Sequence, residues 1–331
     1  MSTPRVTIVI SPRERFSFTC ESLESILEHT TVPYSLIYVD GGSPKPVQQY
    51  LAAKAQERNF KLIRTEHFLA PNQARNMAIP LVETEYVLFV DNDVLVSPNW
   101  LEKLLECADE TSATIVCPLT CIGKNVGEII HLAGGEAHIY TETQEDGTTK
   151  RKVHEKHYFV NRPVVEVKDK LVRNQCEFAE FHCMLVRTEI FEKIGLLDEA
   201  LLSTREHIDF CMSVTNAGGT VYCEPESVVT YVPGLNRTDL TELSFFMLRW
   251  SDAWEIASLE HFSEKWELPT NDKYFKKRYK RMGHRRYQGF LRPLVRQISF
   301  GQNNPQLEQM LIPLERSLNR LITDRYAKSA Q

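Results

Sequence analysis

Over its first 118 residues the chain alternates short apolar runs with amphipathic stretches, and this alternation restricts its fold more than any other feature. Residues 6–10, 35–40, 60–65, 86–90 and 113–118 have the length and apolar content of buried strands. Residues 17–28, 45–58, 72–82 and 97–110 between them carry helical periodicity. Ser97, followed by Pro98, reads as the cap of the last of these helices. Such alternation predicts a Rossmann-like α/β arrangement: a mostly parallel sheet, helices on both faces, and ligand loops at the carboxyl ends of the strands.

Charge collects at those ends. The run at 86–90 delivers Asp91-Asn92-Asp93. Two carboxylates one residue apart at the end of a buried strand repel each other and lose hydration, so they call for a cation, a donor-rich ligand or open water. A polar turn or helix cap is the plain alternative, because Asp and Asn are common in both.

The pattern loosens over 119–175, where "ETQEDGTTKRK" reads as an exposed hairpin or loop. A strand-like "FAEFHCMLVR" (178–187) follows, then helical stretches at 188–194 and 206–217, a Gly218-Gly219 stop and a strand at 220–229. After Pro233-Gly234 the chain turns to long amphipathic helical stretches without a clear strand. The expected division is therefore 1–235 and a helical C-terminal extension, 236–331.

No apolar run is long enough for a membrane span, and the first strand is too short for a signal-peptide core, so a cytoplasmic location is expected. The eight cysteines contain no C-x-x-C pair and read as reduced core residues; the sequon Asn236-Arg237-Thr238 would matter only in a secreted protein.

Six segments, "VTIVISPRER", "YVDGGSP", "NQARNMAI", "LFVDNDVLVSPNWL", "LVRTEIFEKIGLLDEAL" and "EHIDFCMSV", occur in an order and spacing that resembles the family-2 glycosyltransferases. That resemblance covers the first 235 residues. It implies the GT-A fold of nucleotide-diphospho-sugar transferases and a metal-dependent enzyme of polysaccharide biosynthesis. Such an enzyme moves a sugar from a nucleotide-sugar donor to the hydroxyl of a glycan, glycolipid or other acceptor, with inversion. Asp91-Asn92-Asp93 matches the family's D-x-D motif. By the resemblance, Asp93 coordinates Mn²⁺ or Mg²⁺ on the diphosphate, while Asp91 contacts the ribose or completes the metal shell. Ser11, Arg13, Asp40, Arg75 and Asn92 are implied contacts to the nucleotide-sugar. A carboxylate at Asp40 would accept the imide hydrogen of uracil, which favours a UDP-linked donor, although Gly41 stands where the family often has a second acid. For Arg75 the alternative is a helix surface charge.

Direct displacement at an anomeric carbon needs a general base for the attacking hydroxyl. Glu206 and Asp209 lie three apart on a helical pattern and so share a face. The family commonly reads E-D-x-D here, whereas this chain reads Glu206-His207-Ile208-Asp209. Either Glu206 or His207 takes the base role, or the chain has lost some activity; a helix N-terminus by itself explains one acid. Glu180 and His182 are acceptor-side candidates, set against the ordinary reading of a core histidine. The family's third metal ligand has no clear counterpart: Tyr231 occupies its stretch, and His261 is a candidate to fill in from the tail.

From 273 to 296 there are ten Lys or Arg and no acid, interleaved with Tyr274, Phe275, Tyr279, Tyr287 and Phe290. This segment reads as a peripheral contact to the inner membrane face, as a patch for an anionic acceptor, or as a solvated helical face packed on its aromatics. Nucleic acid is not expected in a chain of net charge −5. Competing activities are a non-catalytic sugar-nucleotide-binding relative and a haloacid-dehalogenase-type phosphatase, the latter opposed by Leu95 within its signature. A dehydrogenase is opposed by the lack of G-x-G-x-x-G after the first strand.

Overall fold

The computed structural model describes residues 3–123, 125–232 and 241–329; the expected boundary near 235 and the sequon at 236–238 lie outside them. The run VTIVIS forms β1 (Val6–Ser11), buried throughout. It pairs in parallel with β2 (Tyr34–Gly41) on one side and β4 (Tyr86–Asp91) on the other, and β3 (Lys61–Thr65) extends the sheet beyond β2. The helices between them, α1 (Thr19–His29), α2 (Lys45–Arg58) and α3 (Pro71–Ala78), follow the expected alternation.

After β4 the order departs from a simple parallel series. A short β5 (Val94–Val96) pairs with a later strand, so Ser97 is no helix cap: its hydroxyl donates to Val228 O at 2.7 Å. Helix α4 (Trp100–Thr111) starts instead after Asn99, which takes a left-handed conformation. β6 (Ile115–Ile122) does not lie beside β4. Between them runs β11 (Cys183–Arg187), antiparallel to both. Its register sets Cys183 opposite Val90, so the residues entering β11 arrive at the sheet edge where β4 delivers Asp91.

β7 (Ile129–Leu132) flanks β6, and β8 (Gly135–Thr143) with β9 (Thr149–His157) forms a separate two-stranded hairpin whose tip is the expected loop. α5 (Val164–Val167), β10 (Asn174–Cys176), α6 (Ile190–Ile194), α7 (Glu206–Asn216) and β12 (Val221–Tyr231) complete this part. β12 runs parallel to β6 with a bulge between Glu224 and Val228, where Pro225 has no N–H for the ladder.

Alternation along β4 sorts its side chains to two faces: Val87 and Phe89 enter one apolar cluster, and Tyr86, Leu88 and Val90 the other. The remaining elements are helical, as expected: α8 (Leu243–Arg249), α9 (Asp252–Lys265), α10 (Lys273–Tyr279), α11 (His284–Arg286), α12 (Arg292–Ile298) and α13 (Pro305–Ser329). Leu259, Phe262 and Phe275 from these helices join the cluster of Val87 and Phe89, so the tail is packed onto the sheet's core. Among the described residues no helix is long and apolar enough to cross a membrane. All eight cysteines are free, and all but Cys20 are buried.

Candidate active site

Asp91, Asn92 and Asp93 leave the end of β4 fully buried, and their charge is balanced unequally. Arg75 Nη2 donates to Asp91 Oδ1 at 3.1 Å, and Arg13 Nε lies 3.2 Å from Oδ2. Arg75 is thus no surface charge; its guanidinium sits 3.9 Å above the Phe181 ring. Burial would raise the Asp91 carboxyl, but His182, Arg75 and Arg13 outweigh it and hold it below the usual carboxylate range. Among the described residues Asp93 has one cationic partner, Arg13 Nη1 at 3.9 Å from Oδ2, and its Oδ1 is buried without a hydrogen-bond partner. Burial, with Asp91 and Glu14 adding repulsion, pushes the Asp93 carboxyl well above its ordinary value despite Arg13.

Arg13 is fixed by the loop after β1 and by the tail. It pairs with Glu14 at 2.6 Å and lies 4.5 Å over the Tyr231 ring. Tyr231 OH donates to Glu14 Oε2, and Trp250 Nε1 donates to Oε1 at 3.2 Å. Burial opposes ionisation of Glu14, but Arg13, Arg285 and Tyr231 hold its carboxyl down at about 2. Asn92 serves this loop: its Oδ1 accepts from Arg13 N at 3.0 Å, and its Nδ2 donates to Arg15 O at 2.6 Å. Ser11 Oγ is buried and unpartnered beside it. Asp40, ending β2 one residue early, receives Ser43 N at 3.0 Å, Ser43 Oγ at 2.8 Å and Arg64 Nη1 at 2.5 Å, so both its oxygens have partners within the protein.

The loop entering β11 adds a second group. His182 Nδ1 stands 3.2 Å from Asp91 Oδ2 without hydrogen-bonding geometry, while Nε2 faces Glu180 Oε2 at 3.4 Å. Burial and then Arg13 lower the His182 pKa to about 4, so the ring is neutral at pH 7 and carries one N–H for two carboxylates. Glu180 also receives His131 Nε2 at 2.8 Å from β7 and has His207 Nε2 at 4.0 Å. Burial raises Glu180, but the three imidazoles outweigh it and take the carboxyl well below its usual range.

Among the described residues, two groups of side chains place their ligand atoms within 4.8 Å of one another: Asp91, Asp93 and His182, and His131, Glu180 and His182. The first group includes two buried atoms without hydrogen-bond partners, Asp93 Oδ1 and His182 Nδ1. Oxygen donors with one imidazole suit Mn²⁺, a cation that tolerates nitrogen, better than Mg²⁺. His261 belongs to neither group; its Nε2 lies 2.9 Å from Asp198.

α7 opens after Arg205, which adopts φ 74°, outside the range most side chains prefer. It carries Glu206 and His207 to a cavity of about 320 Å³ that is also lined by Arg13, Arg75, Asp91 and Glu180. Arg249 Nη2 donates to Glu206 Oε1 at 3.2 Å, and Oε2 is buried with no hydrogen-bond partner among the described residues. Burial lowers the His207 pKa against the opposing pull of Glu180 and Glu206. Asp209 does not line this cavity. Lys265 Nζ and Trp266 Nε1 each hold its carboxylate at 2.8 Å, because the tail packs against the turn of α7 that the i,i+3 spacing placed toward the pocket. His131, Glu14, Arg249 and Trp250 carried no sequence signal of their own.

The profile of Glycosyl transferase family 2 matches residues 7–195. The chain is 24% identical over 215 residues to the succinoglycan biosynthesis protein ExoW of Rhizobium meliloti (strain 1021), covering 63% of this chain and 62% of that protein. It is 28% identical over 112 residues to the glycosyltransferase GlyG of Streptococcus pneumoniae serotype 4, covering 34% and 37%. The chain therefore spans less than two thirds of the length of these curated relatives. Among solved structures, GalNAc-T7 with UDP, GalNAc and Mn²⁺ superposes with a TM-score of 0.52 at 17% identity, over 85% of this chain and 56% of that one. That likeness is one of fold, the expected GT-A type.

Proposed function

The chain belongs to glycosyl transferase family 2, and from that premise we propose that it transfers a sugar from a UDP-linked donor to a hydroxyl of a glycan or glycolipid, with inversion. One observation carries the reading: at the end of β4, Asp91, Asp93 and His182 bring ligand atoms within 4.8 Å of one another, and in this group Asp93 Oδ1 and His182 Nδ1 are buried without hydrogen-bond partners among the described residues. Two such atoms are expensive to leave unsatisfied, and a divalent cation between them satisfies both. Asp91, Asp93 and His182 are the residues that would hold Mn²⁺. When bound, it neutralises charge developing on the leaving diphosphate. The UDP and Mn²⁺ of GalNAc-T7 support the choice of donor and ion. Asp40 Oδ1 accepts one hydrogen bond, from Ser43 N, while Oδ2 takes Ser43 Oγ and Arg64, so an acceptor site on Oδ1 remains for the imide hydrogen of uracil.

The other residues divide the work. Arg13 and Arg75, both on Asp91, bring positive charge to the same corner. Glu206 takes the proton of the attacking hydroxyl through Oε2, while Arg249 fixes Oε1; the new glycosidic bond forms as the bond to the diphosphate oxygen breaks on the opposite face. Glu180 orients His131 and His182 at the acceptor side. A thermal-shift screen of nucleotide sugars, followed by release of nucleotide diphosphate, tests this. UDP-sugars should stabilise the protein with Mn²⁺ and not with chelator. Equal stabilisation in chelator overturns the metal assignment, and binding without turnover marks a non-catalytic sugar-nucleotide binder.

A further inference from the structure

We propose that the acceptor is an anionic glycan, its acidic groups held in a basic cleft between the β8–β9 hairpin and α10; this rests on the transferase reading above. The cleft has a volume of about 1150 Å³. A pocket of roughly 300–1,000 Å³ holds a drug-sized ligand, so this one has room for more than one sugar unit. It is continuous with the cavity at Glu206, because His131, Glu180, Arg205, Arg278, Arg281 and Arg285 line both. A chain lying along the cleft therefore brings its end to the proposed base.

Charge identifies the occupant. The acids of the cleft are engaged: Glu155 accepts Arg205 at 2.7 Å, Arg278 at 2.6 Å and Tyr274 OH at 2.8 Å. Glu180 accepts His131, and Asp272 caps α10 by accepting Phe275 N at 2.9 Å. Lys150, Lys273, Lys277, Arg281 and Arg285 also line the cleft, and none has an acidic side chain within 4.0 Å among the described residues. Like charges gathered in one concavity repel one another and focus a positive potential into it, and carboxylate or phosphate groups spaced along a glycan relieve that repulsion.

The arrangement also separates a glycan from a membrane surface. Lys150 and Lys152 come from the hairpin, Lys273 and Lys277 from α10, and they line one concave cleft rather than a single convex face. The basic run seen in the sequence is thus divided: Lys276, Lys280, Arg292 and Arg296 are exposed and do not line the cleft.

The test compares binding of a polygalacturonate oligomer and a neutral dextran oligomer of equal length to the full chain, at low and high salt. Three proteins are needed: the native one, the double variant Lys150→Glu/Lys277→Glu, and Lys45→Glu/Lys193→Glu, which makes the same charge change at exposed positions outside the cleft. The native protein should prefer the polyanion at least tenfold at low salt and lose that preference at high salt. The cleft variant should lose it at both, and the control variant should keep it. Equal affinity for the two oligomers, or equal loss in both variants, overturns the proposal. So does capture by anionic vesicles, lost in the cleft variant, from a protein that ignores the soluble polyanion. Mn²⁺-dependent UDP binding, measured alongside, reports the transferase reading separately: its absence beside intact polyanion preference sinks the donor site and leaves the cleft assigned.

Discussion

Arg249, at the end of α8, holds Glu206 Oε1 at 3.2 Å with both side chains buried, so the tail grips the residue proposed as base. The same guanidinium donates to Ser203 O and Oγ. Removing one partner of a buried pair strands the other charge. Arg249→Met should cost about 3 kcal/mol or more in denaturant unfolding. Pairing it with Glu206→Gln should recover part of that loss. A double variant no more stable than Arg249→Met would show that the two groups are not coupled.

The base assignment separates three neighbours on one helix. Glu206→Gln keeps shape and removes the basic oxygen, so transfer should fall by roughly 10²-fold or more with donor affinity nearly unchanged. His207→Ala should retain most transfer. Asp209→Asn should act on stability rather than rate, because Lys265 and Trp266 hold that carboxylate away from the cavity. Loss of transfer in His207→Ala with Glu206→Gln still active would hand the role to the imidazole, with an acid limb below the ordinary histidine range because burial lowers its pKa.

Mn²⁺ bound at Asp91, Asp93 and His182 should show coupling to one imidazole nitrogen by electron paramagnetic resonance. His182→Gln should erase that signature and weaken Mn²⁺ binding roughly 100-fold, the upper end of what losing even an outer-shell partner costs. His261→Gln should leave both unchanged. Asp93→Asn should abolish metal-dependent nucleotide binding without unfolding the protein. A nitrogen signal surviving in His182→Gln excludes this histidine as ligand.

How far these residues could be read in advance follows from what periodicity records. Strands buried on both faces appear as apolar runs, so β1, β2 and β4 and the position of Asp91 were legible. Periodicity says nothing about which strand inserts beside which, and so β11 between β4 and β6, which brings His182 to Asp91, was not. Asn92 entered with the D-x-D resemblance, and its hydrogen bonds to the Arg13 and Arg15 backbone, made across 77 to 79 residues, had no local signal. The i,i+3 rule placed Asp209 beside Glu206 correctly as geometry on an isolated helix. Lys265 and Trp266, more than fifty residues away, decided its environment.

Glu255 lines the small cavity, and burial pushes its carboxyl up to about 7. A folded pKa above the unfolded value means that ionisation weakens the native state. The stabilisation is full below about pH 4.5 and is lost as pH rises through 7. Glu255→Gln should match the native protein near pH 4 and exceed it above pH 8, by at most about 3 kcal/mol. Thermal melts across this range with parallel curves for the two proteins would refute it.

The hydrogen bond from Trp250 to Glu14 joins residues 236 positions apart, and Phe16 N and Ser17 N reach Glu242 across comparable spans. A chain emerging from the ribosome therefore completes its sheet with β12 and closes the corner around Glu14 only when α8 and Trp250 follow. Until α8 and Trp250 are synthesised, Glu14 lacks its indole donor and Glu206 its guanidinium, so every nascent chain that ends before α8 carries the proposed base without the contacts that fix it.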